Sequence, residues 1–318
     1  AGAWVSRRVR RAGDFFVAGR QLSAGLIFTT FLAANIGAGS TVGAAGLGYR
    51  YGLSAWWWSG SAAIGCLGLG LWVAPRIHRL AESGGFLTVG DFLEARFDRS
   101  VRGLVGLALW AGTLLILAGQ LMAMAWALAA IAGVPKVWGC LLSGLVLVTY
   151  VGGGGLLASA WVNLLELVAL LLGFALALPF AWHQAGGWPA LSAAAPQFDR
   201  FDGMGWPAIA GLLLTLVPSF VVPPGLVQKA YGARSPQAAR LGIVLNAVAL
   251  AAFAFVPALL GMAARSLRPG LANPELALPA LLVDVLPPWI GALGLAALFA
   301  AEISTADAVL FMLATSLS

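Results

Sequence analysis

The sequence predicts an all-α, polytopic membrane protein of about eight spans, and three observations carry that prediction. Of 318 residues, 61% are hydrophobic and only 9% charged, outside the range of a soluble globular domain. Apolar stretches of roughly 20 residues, enough to cross about 30 Å of hydrocarbon at 1.5 Å per residue, recur along the whole chain. Each stretch is apolar around its full circumference, with none of the alternation of a membrane barrel, so the spans are helices. They fall near 25–47, 53–75, 103–132, 138–156, 160–182, 207–227, 241–264 and 287–318.

The first span contains Gly37, Gly39, Gly43 and Gly46 within "AANIGAGSTVGAAGLGY". Each weakens a helix by roughly 1 kcal/mol relative to Ala, although Gly39 with Gly43 also suits close small-xxx-small packing. The sixth span reads "LVPSFVVPPGL", where Pro218, Pro223, Pro224 and Gly225 cannot continue a regular hydrogen-bond ladder. Two interrupted spans five apart point to two five-helix repeats with a binding site at the bilayer midplane.

Between the second and third spans, "FLTVGDFLEARFDRS" predicts a short amphipathic surface helix, with Thr88 as N-cap and Asp91 and Glu94 in its first turns. Gln184 to Trp206 and the proline-rich Leu267 to Pro288 read as outer loops over an entrance. The net charge of +6 is a matter of topology, not of nucleic-acid binding. Alternating the spans puts Arg7, Arg8, Arg10, Arg11, Arg20, Arg76, Arg79, Arg96, Arg99, Arg102, Lys229, Arg234 and Arg240 on one side. Only Arg50, Lys136, Arg200, Arg265 and Arg268 fall on the other, a 13 to 5 split that makes the Arg7 to Arg20 segment cytoplasmic. This topology leaves no Lys or Arg at membrane depth. Cys66 and Cys140 lie inside spans, where cysteine packs as a small apolar residue, and they suggest neither a disulfide nor a metal site. The chain opens on a basic loop and stops at Ser318 without an exit loop, so it is expected to be part of a longer protein.

The carboxylates left inside the spans are Glu166, Glu302 and Asp307. A charge at the membrane centre costs at least about 2.5 kcal/mol on insertion scales, so each needs a partner or a function. In "LFAAEISTADAV", Ala301, Ser304 and Thr305 share one helix face and Asp307 follows Ser304 by three residues. Two hydroxyls on a face suit a hard cation such as Na⁺, with carbonyls of an unwound helix around Ala33 to Gly39 supplying further oxygens. The competing reading is hydroxyls bonded to their own helix's carbonyls. Asn163 and Glu166 also share a face, as ligands or as interhelical hydrogen-bonding partners. No enzyme chemistry assembles: His78 and His183 fall on opposite sides, no nucleophile–base dyad or Cys/His metal spacing exists, and Gly152 to Gly155 precede no Lys-Ser/Thr pair.

Six stretches in order are "DFFVAGRQLS" (14–23), "AANIGAGSTVGAAGLGYRYGL" (33–53), "TVGDFLEARF" (88–97), "GGGGLLASAWVNLLE" (152–166), "QKAYGARSPQAAR" (228–240) and "AAEISTADAV" (300–309). Together they resemble the sodium:solute symporter family, which includes sugar, proline, pantothenate and monocarboxylate symporters. The resemblance implies a leucine-transporter-like fold of five plus five inverted helices, with about eight core helices present here. It divides the single transmembrane domain 1–318 into a basic segment 1–24, a first repeat 25–182, an outer loop 183–206 and part of a second repeat over 207–318. It also implies a Na⁺ site made of the carbonyls of Ala33 and Ile36 with Ala301, Ser304 and Thr305, and no cofactor beyond the coupling ion.

The sequence departs from the family pattern at two places. Val162 and Asn163 follow Trp161 where many members carry Thr-Asp, an aspartate linked in some members to cation release or a second sodium. Asp307 is then expected to hold the negative charge moved to the facing helix, making Asn163, Asp307 and Glu302 candidates for a second cation or release site. Glu302 is either a protonatable group through which H⁺ replaces Na⁺ or a structural glutamate shielded from lipid. The sugar branch carries polar side chains after the Asn of the first core helix, whereas Asn35 is followed here by Gly37 and Gly39. A sugar's hydroxyls would go unpaired, so the expected substrate is a small amino acid or monocarboxylate lined by Asn35, Ser40, Trp57 and Phe220. The expected function is Na⁺-driven symport of a small organic solute in a bacterial inner membrane. The alternatives are proton-coupled symport on the same fold and a non-transporting sensor built on the scaffold.

Overall fold

A computed structural model describes residues 17–151 and 155–316; the Arg7 to Arg11 cluster and most of the Gly152 to Gly155 run lie outside them. The described residues form helices joined by short loops, with no strand beyond one isolated bridge between Leu22 and Ala233. Six stretches are long and apolar enough to cross a membrane, and two shorter apolar helices accompany them.

The first span is split. Helix α1 (Ala24–Asn35) starts at Ser23, whose Oγ accepts the Leu26 N–H, and stops before an irregular Ile36-Gly37-Ala38. The chain resumes as a π-turn (Gly39–Gly43) running into α2 (Ala44–Tyr51). Gly52, with φ +61°, reverses it into the second span, formed by α3 (Trp56–Gly68), a π-turn (Leu69–Val73) and α4 (Ala74–Gly84). This span runs nine residues past the expected end at 75, so Arg76 and Arg79 ride on the helix itself.

Helix α5 (Val89–Arg96) is the expected surface helix. Thr88 Oγ1 accepts the Asp91 N–H while Asp91 accepts the Thr88 N–H at 2.8 Å, a reciprocal cap that fixes its start. Arg102 pairs with Glu94 and tethers α5 to α6 (Arg99–Ala132). Removing this cap by Thr88→Ala is expected to lower stability by about 1 kcal/mol, read as a lower midpoint in thermal unfolding of the detergent-solubilised protein.

Helices α7 (Lys136–Val151) and α8 (Gly155–Gln184) follow, then α9 (Gly187–Ala193) in the outer loop. The sixth span is also split, into α10 (Trp206–Val221) and α11 (Pro224–Tyr231). The break lies at Val222 and Pro223, whereas Pro218 is carried inside α10. Helices α12 (Pro236–Phe253) and α13 (Phe255–Leu267) form the seventh span, stepping at Ala254 where Pro257 cannot donate back to Phe253. A short α14 (Ala277–Ala280) and a π-turn (Leu281–Val285) lead into the eighth, α15 (Pro288–Ser316).

Helix α15 packs along α8 and against α6 and α1, which places the segment 300–309 at the centre of the bundle. Small residues permit that approach: a Cβ on Gly173 of α8 would sit 2.5 Å from Ala297 Cβ and from the Leu293 oxygen. Large apolar side chains such as Leu104, Leu115, Leu145 and Leu172 stay exposed on α6, α7 and α8, as a lipid-facing surface requires.

The loops gather at two opposite ends. At one, an Arg20 guanidinium nitrogen donates to the Ala81 and Phe86 carbonyls (2.8 and 3.0 Å), and Leu22 exchanges backbone bonds with Gly232 and Arg234. The basic segments around 20, 76–102 and 234–240 therefore share one face, as the charge asymmetry predicts. At the other end Leu53 N–H donates to Phe198, and the Tyr49 hydroxyl donates to Arg268 O and accepts from Leu271 N–H. Both expected outer loops fold over that end.

Candidate cation site and substrate cavity

The unwound residues 36–38 expose carbonyl oxygens because their natural donors are taken elsewhere. In a continuous helix the N–H groups of Gly37 and Ala38 would close onto the Ala33 and Ala34 carbonyls. Here Gly37 N–H donates to Ser40 Oγ at 2.9 Å, and Ala38 N–H donates to Gln120 Oε1 of α6, also at 2.9 Å. Into the gap comes α15. Ser304 Oγ lies 3.0 Å from Ala33 O and 2.9 Å from Ala301 O. Thr305 Oγ1 lies 3.2 Å from Ala33 O, 3.0 Å from Ile36 O and 3.4 Å from Ala34 O.

The structure thus brings Ala33, Ile36, Ala301, Ser304 and Thr305 to one point, with all but Thr305 at most 1% exposed and Thr305 at 7%. Two hydroxyls carry two hydrogens, too few for five close oxygen–oxygen approaches. An oxygen cluster with more acceptors than protons is the chemistry that a hard cation completes. The back-bonding reading accounts for only one of these contacts, Ser304 to Ala301. Gly37 makes the approach sterically feasible: a Cβ there would stand 2.5 Å from Thr305 Oγ1 and 2.9 Å from Gln120 Oε1.

The remaining carboxylates separate into two environments. Glu302 is fully buried; its Oε1 accepts the Thr41 hydroxyl at 3.0 Å, and its Oε2 has no hydrogen-bond partner. It faces the π-turn of the first span, away from Asn163 and Asp307. Asp307 accepts from Ser159 of α8, whose Oγ is 3.4 Å from Asn163 Nδ2. Asn163 also donates to Thr30 Oγ1 at 3.2 Å, and Lys229 Nζ donates to the same hydroxyl and to Thr30 O, at 3.2 and 3.1 Å. Lys229 is 1% exposed, which corrects the expectation that no Lys or Arg sits at membrane depth. The physical reason is the break at Val222 and Pro223: the sixth span continues to Tyr231, not 227, and carries Lys229 inward.

Beside the cation cluster, and sharing Thr305 with it, lies a cavity of about 520 Å³. Asn35, Ser40 and Phe220 line it, and Asn35 Nδ2 is braced by Asn246 Oδ1 at 3.2 Å. Trp57 does not reach it, because its indole N–H donates to Phe201 O at 2.8 Å in the outer loop. Trp58, one residue and about 100° further round the helix, lines the cavity instead. Gln120 and Lys229, absent from the sequence-based set, also line it. The signal for Gln120 was in the sequence: an amide in the middle of an apolar span needs a partner.

A family model described as the sodium:solute symporter family matches residues 15–318. The chain is 27% identical over 264 residues to the human sodium/iodide cotransporter, covering 78% of this chain and 40% of that one. It is 27% identical over 310 residues to the sodium/pantothenate symporter of Escherichia coli K12, covering 93% of this chain and 63% of that one. The chain therefore spans about half the length of these curated relatives. A solved structure of a Na⁺-coupled sialic acid symporter, in a substrate-bound outward-open state, superposes with a TM-score of 0.84. It is 20% identical and covers 99% of this chain and 69% of its own. The two share the leucine-transporter-like fold; in this chain both split helices contribute to the cavity wall. On a match that runs through nearly all of its length, the chain belongs to the sodium:solute symporter family.

Proposed function

We propose that the protein is a secondary transporter, with no enzymatic role, in which Na⁺ bound by Ala33, Ile36, Ala301, Ser304 and Thr305 drives uptake of a small organic solute. One observation carries this reading: the N–H groups that would satisfy the Ala33 and Ala34 carbonyls are diverted to Ser40 and Gln120, and two hydroxyls are delivered in their place. Na⁺ added to the purified full-length protein is expected to raise its thermal midpoint where equal K⁺ does not. Equal shifts with both ions would overturn the assignment.

The repeat division, with 25–182 as first repeat, 183–206 as outer loop and 207–318 as part of the second, belongs to the same proposal. So does placement in a bacterial inner membrane with the Arg20 face cytoplasmic. The substrate is a small amino acid or monocarboxylate held between Asn35, Ser40 and Phe220, with Trp58 taking the place expected for Trp57. Gly39 leaves room for the Trp58 indole, which lies 3.3 Å from where a Cβ would stand, so this wall is aromatic where a sugar would need hydrogen-bonding groups. Uptake screens in vesicles with an inward Na⁺ gradient identify it.

A second reading, proton coupling through Glu302, is favoured by one feature: its carboxyl is fully buried with Oε2 unpartnered. On that reading uptake persists without Na⁺ under an inward proton gradient and is lost in Glu302→Gln. On the sodium reading Glu302→Gln leaves the Na⁺ requirement in place.

A further inference from the structure

The polar node one turn beyond the cation cluster contains one buried carboxylate and one buried ammonium, and they come from different spans. Asp307 projects from α15, accepts from Ser159 and is 6% exposed. Lys229 projects from α11 and is 1% exposed. Thr30 and Asn163, both fully buried, link the two through hydrogen bonds of 3.1–3.4 Å. Lys229 makes no direct ion pair among the described residues; the hydrogen-bonded chain Lys229–Thr30–Asn163–Ser159–Asp307 joins the two charges. Two of its three ammonium hydrogens are taken by Thr30, leaving one. Asn163 Oδ1 has no partner, so the node retains acceptor capacity.

We propose that the Lys229 ammonium is the resident counter-cation of Asp307, occupying electrostatically the place a second Na⁺ would take, so that this chain binds one Na⁺. The inference rests on the sodium reading of the Ser304 and Thr305 cluster and sets its stoichiometry. A node holding −1 attracts a monovalent cation; with the Lys229 ammonium already in the node, that attraction is cancelled and a further cation meets a like charge. Lys229 is tethered on the short half-helix after the break in the sixth span, so the counter-cation moves with that segment.

The test is equilibrium binding of ²²Na⁺ to the purified full-length protein, counted as ions per chain. One ion is expected for the natural sequence, two for Lys229→Gln, and one again for Lys229→Gln with Asp307→Asn. Lys229→Arg, which keeps the charge, is expected to stay at one. Two ions in the natural protein, or no added ion in Lys229→Gln, would overturn the proposal. Its readout is the difference between variant and parent, whereas the primary site is read from the parent ion lost in Ser304→Ala/Thr305→Ala. The two readings therefore fail separately. Where Lys229→Gln does not fold, because Asp307 is left buried and unpaired, the added Asp307→Asn is expected to restore the folded yield. No restoration would count against the pairing.

Discussion

Replacing Ser304 and Thr305 together by alanine is expected to abolish the Na⁺-specific thermal shift. The two hydroxyls supply two of the five oxygens at the cluster, and the alanine methyls that replace them supply none. Contacts to a charged partner are worth about 1.5–3 kcal/mol each, so losing both lowers Na⁺ affinity by roughly 100-fold or more. At a Na⁺ concentration 100 times the natural Kd, ligand stabilisation of about 2.7 kcal/mol falls to a few tenths. Titration of the thermal midpoint with NaCl, against KCl at equal ionic strength, reads this directly. An undiminished shift would place the cation elsewhere. Ser304→Ala also removes a bond to the helix's own Ala301 carbonyl, so the midpoint without Na⁺ is expected to change little.

The second large effect is expected at Gly37. An alanine Cβ would lie 2.5 Å from Thr305 Oγ1 and 2.7 Å from Thr305 Cβ, well inside contact distance, with Gln120 Oε1 at 2.9 Å on another side. Either Thr305 withdraws from Ile36 O or the unwound segment shifts and pulls Ala38 from Gln120. Both routes dismantle the oxygen cluster. Gly37→Ala is expected to weaken Na⁺ binding at least tenfold, and overpacking to cost about 1–3 kcal/mol of stability. Gly103, whose Cβ would meet nothing within 4 Å, provides a control inside a lipid-facing helix: Gly103→Ala is expected to leave Na⁺ affinity unchanged and to raise stability by up to about 1 kcal/mol. Equal Na⁺ affinity in Gly37→Ala would show that the Thr305 hydroxyl is not a ligand.

Much of this candidate site is legible in the sequence, for a physical reason. An apolar solvent penalises every stray polar group, so Ser304, Thr305, Asp307 and Glu302 stood out in α15, and glycines and prolines marked the two breaks. Helical periodicity then put Ala301, Ser304 and Thr305 on one face. Hydropathy alone ends the sixth span near 227 and puts Lys229 in a loop, because it does not register the residues spent on crossing an unwound break; the span runs to Tyr231.

The sequence by itself determined the helical membrane class, the order of the spans, the two interruptions and the membership of the hydroxyl pair. Those follow from composition and from spacings within one helix. Only the tertiary structure decided that Gln120, 82 residues from Ala38, takes its N–H, that Trp58 and not Trp57 faces the cavity, and that Lys229 shares a node with Asp307. Periodicity fixes how residues are arranged around one helix but not how that helix is rotated against its neighbours. That rotation is set by packing between segments distant in sequence, such as Gly173 against Ala297, and no single stretch of sequence contains it.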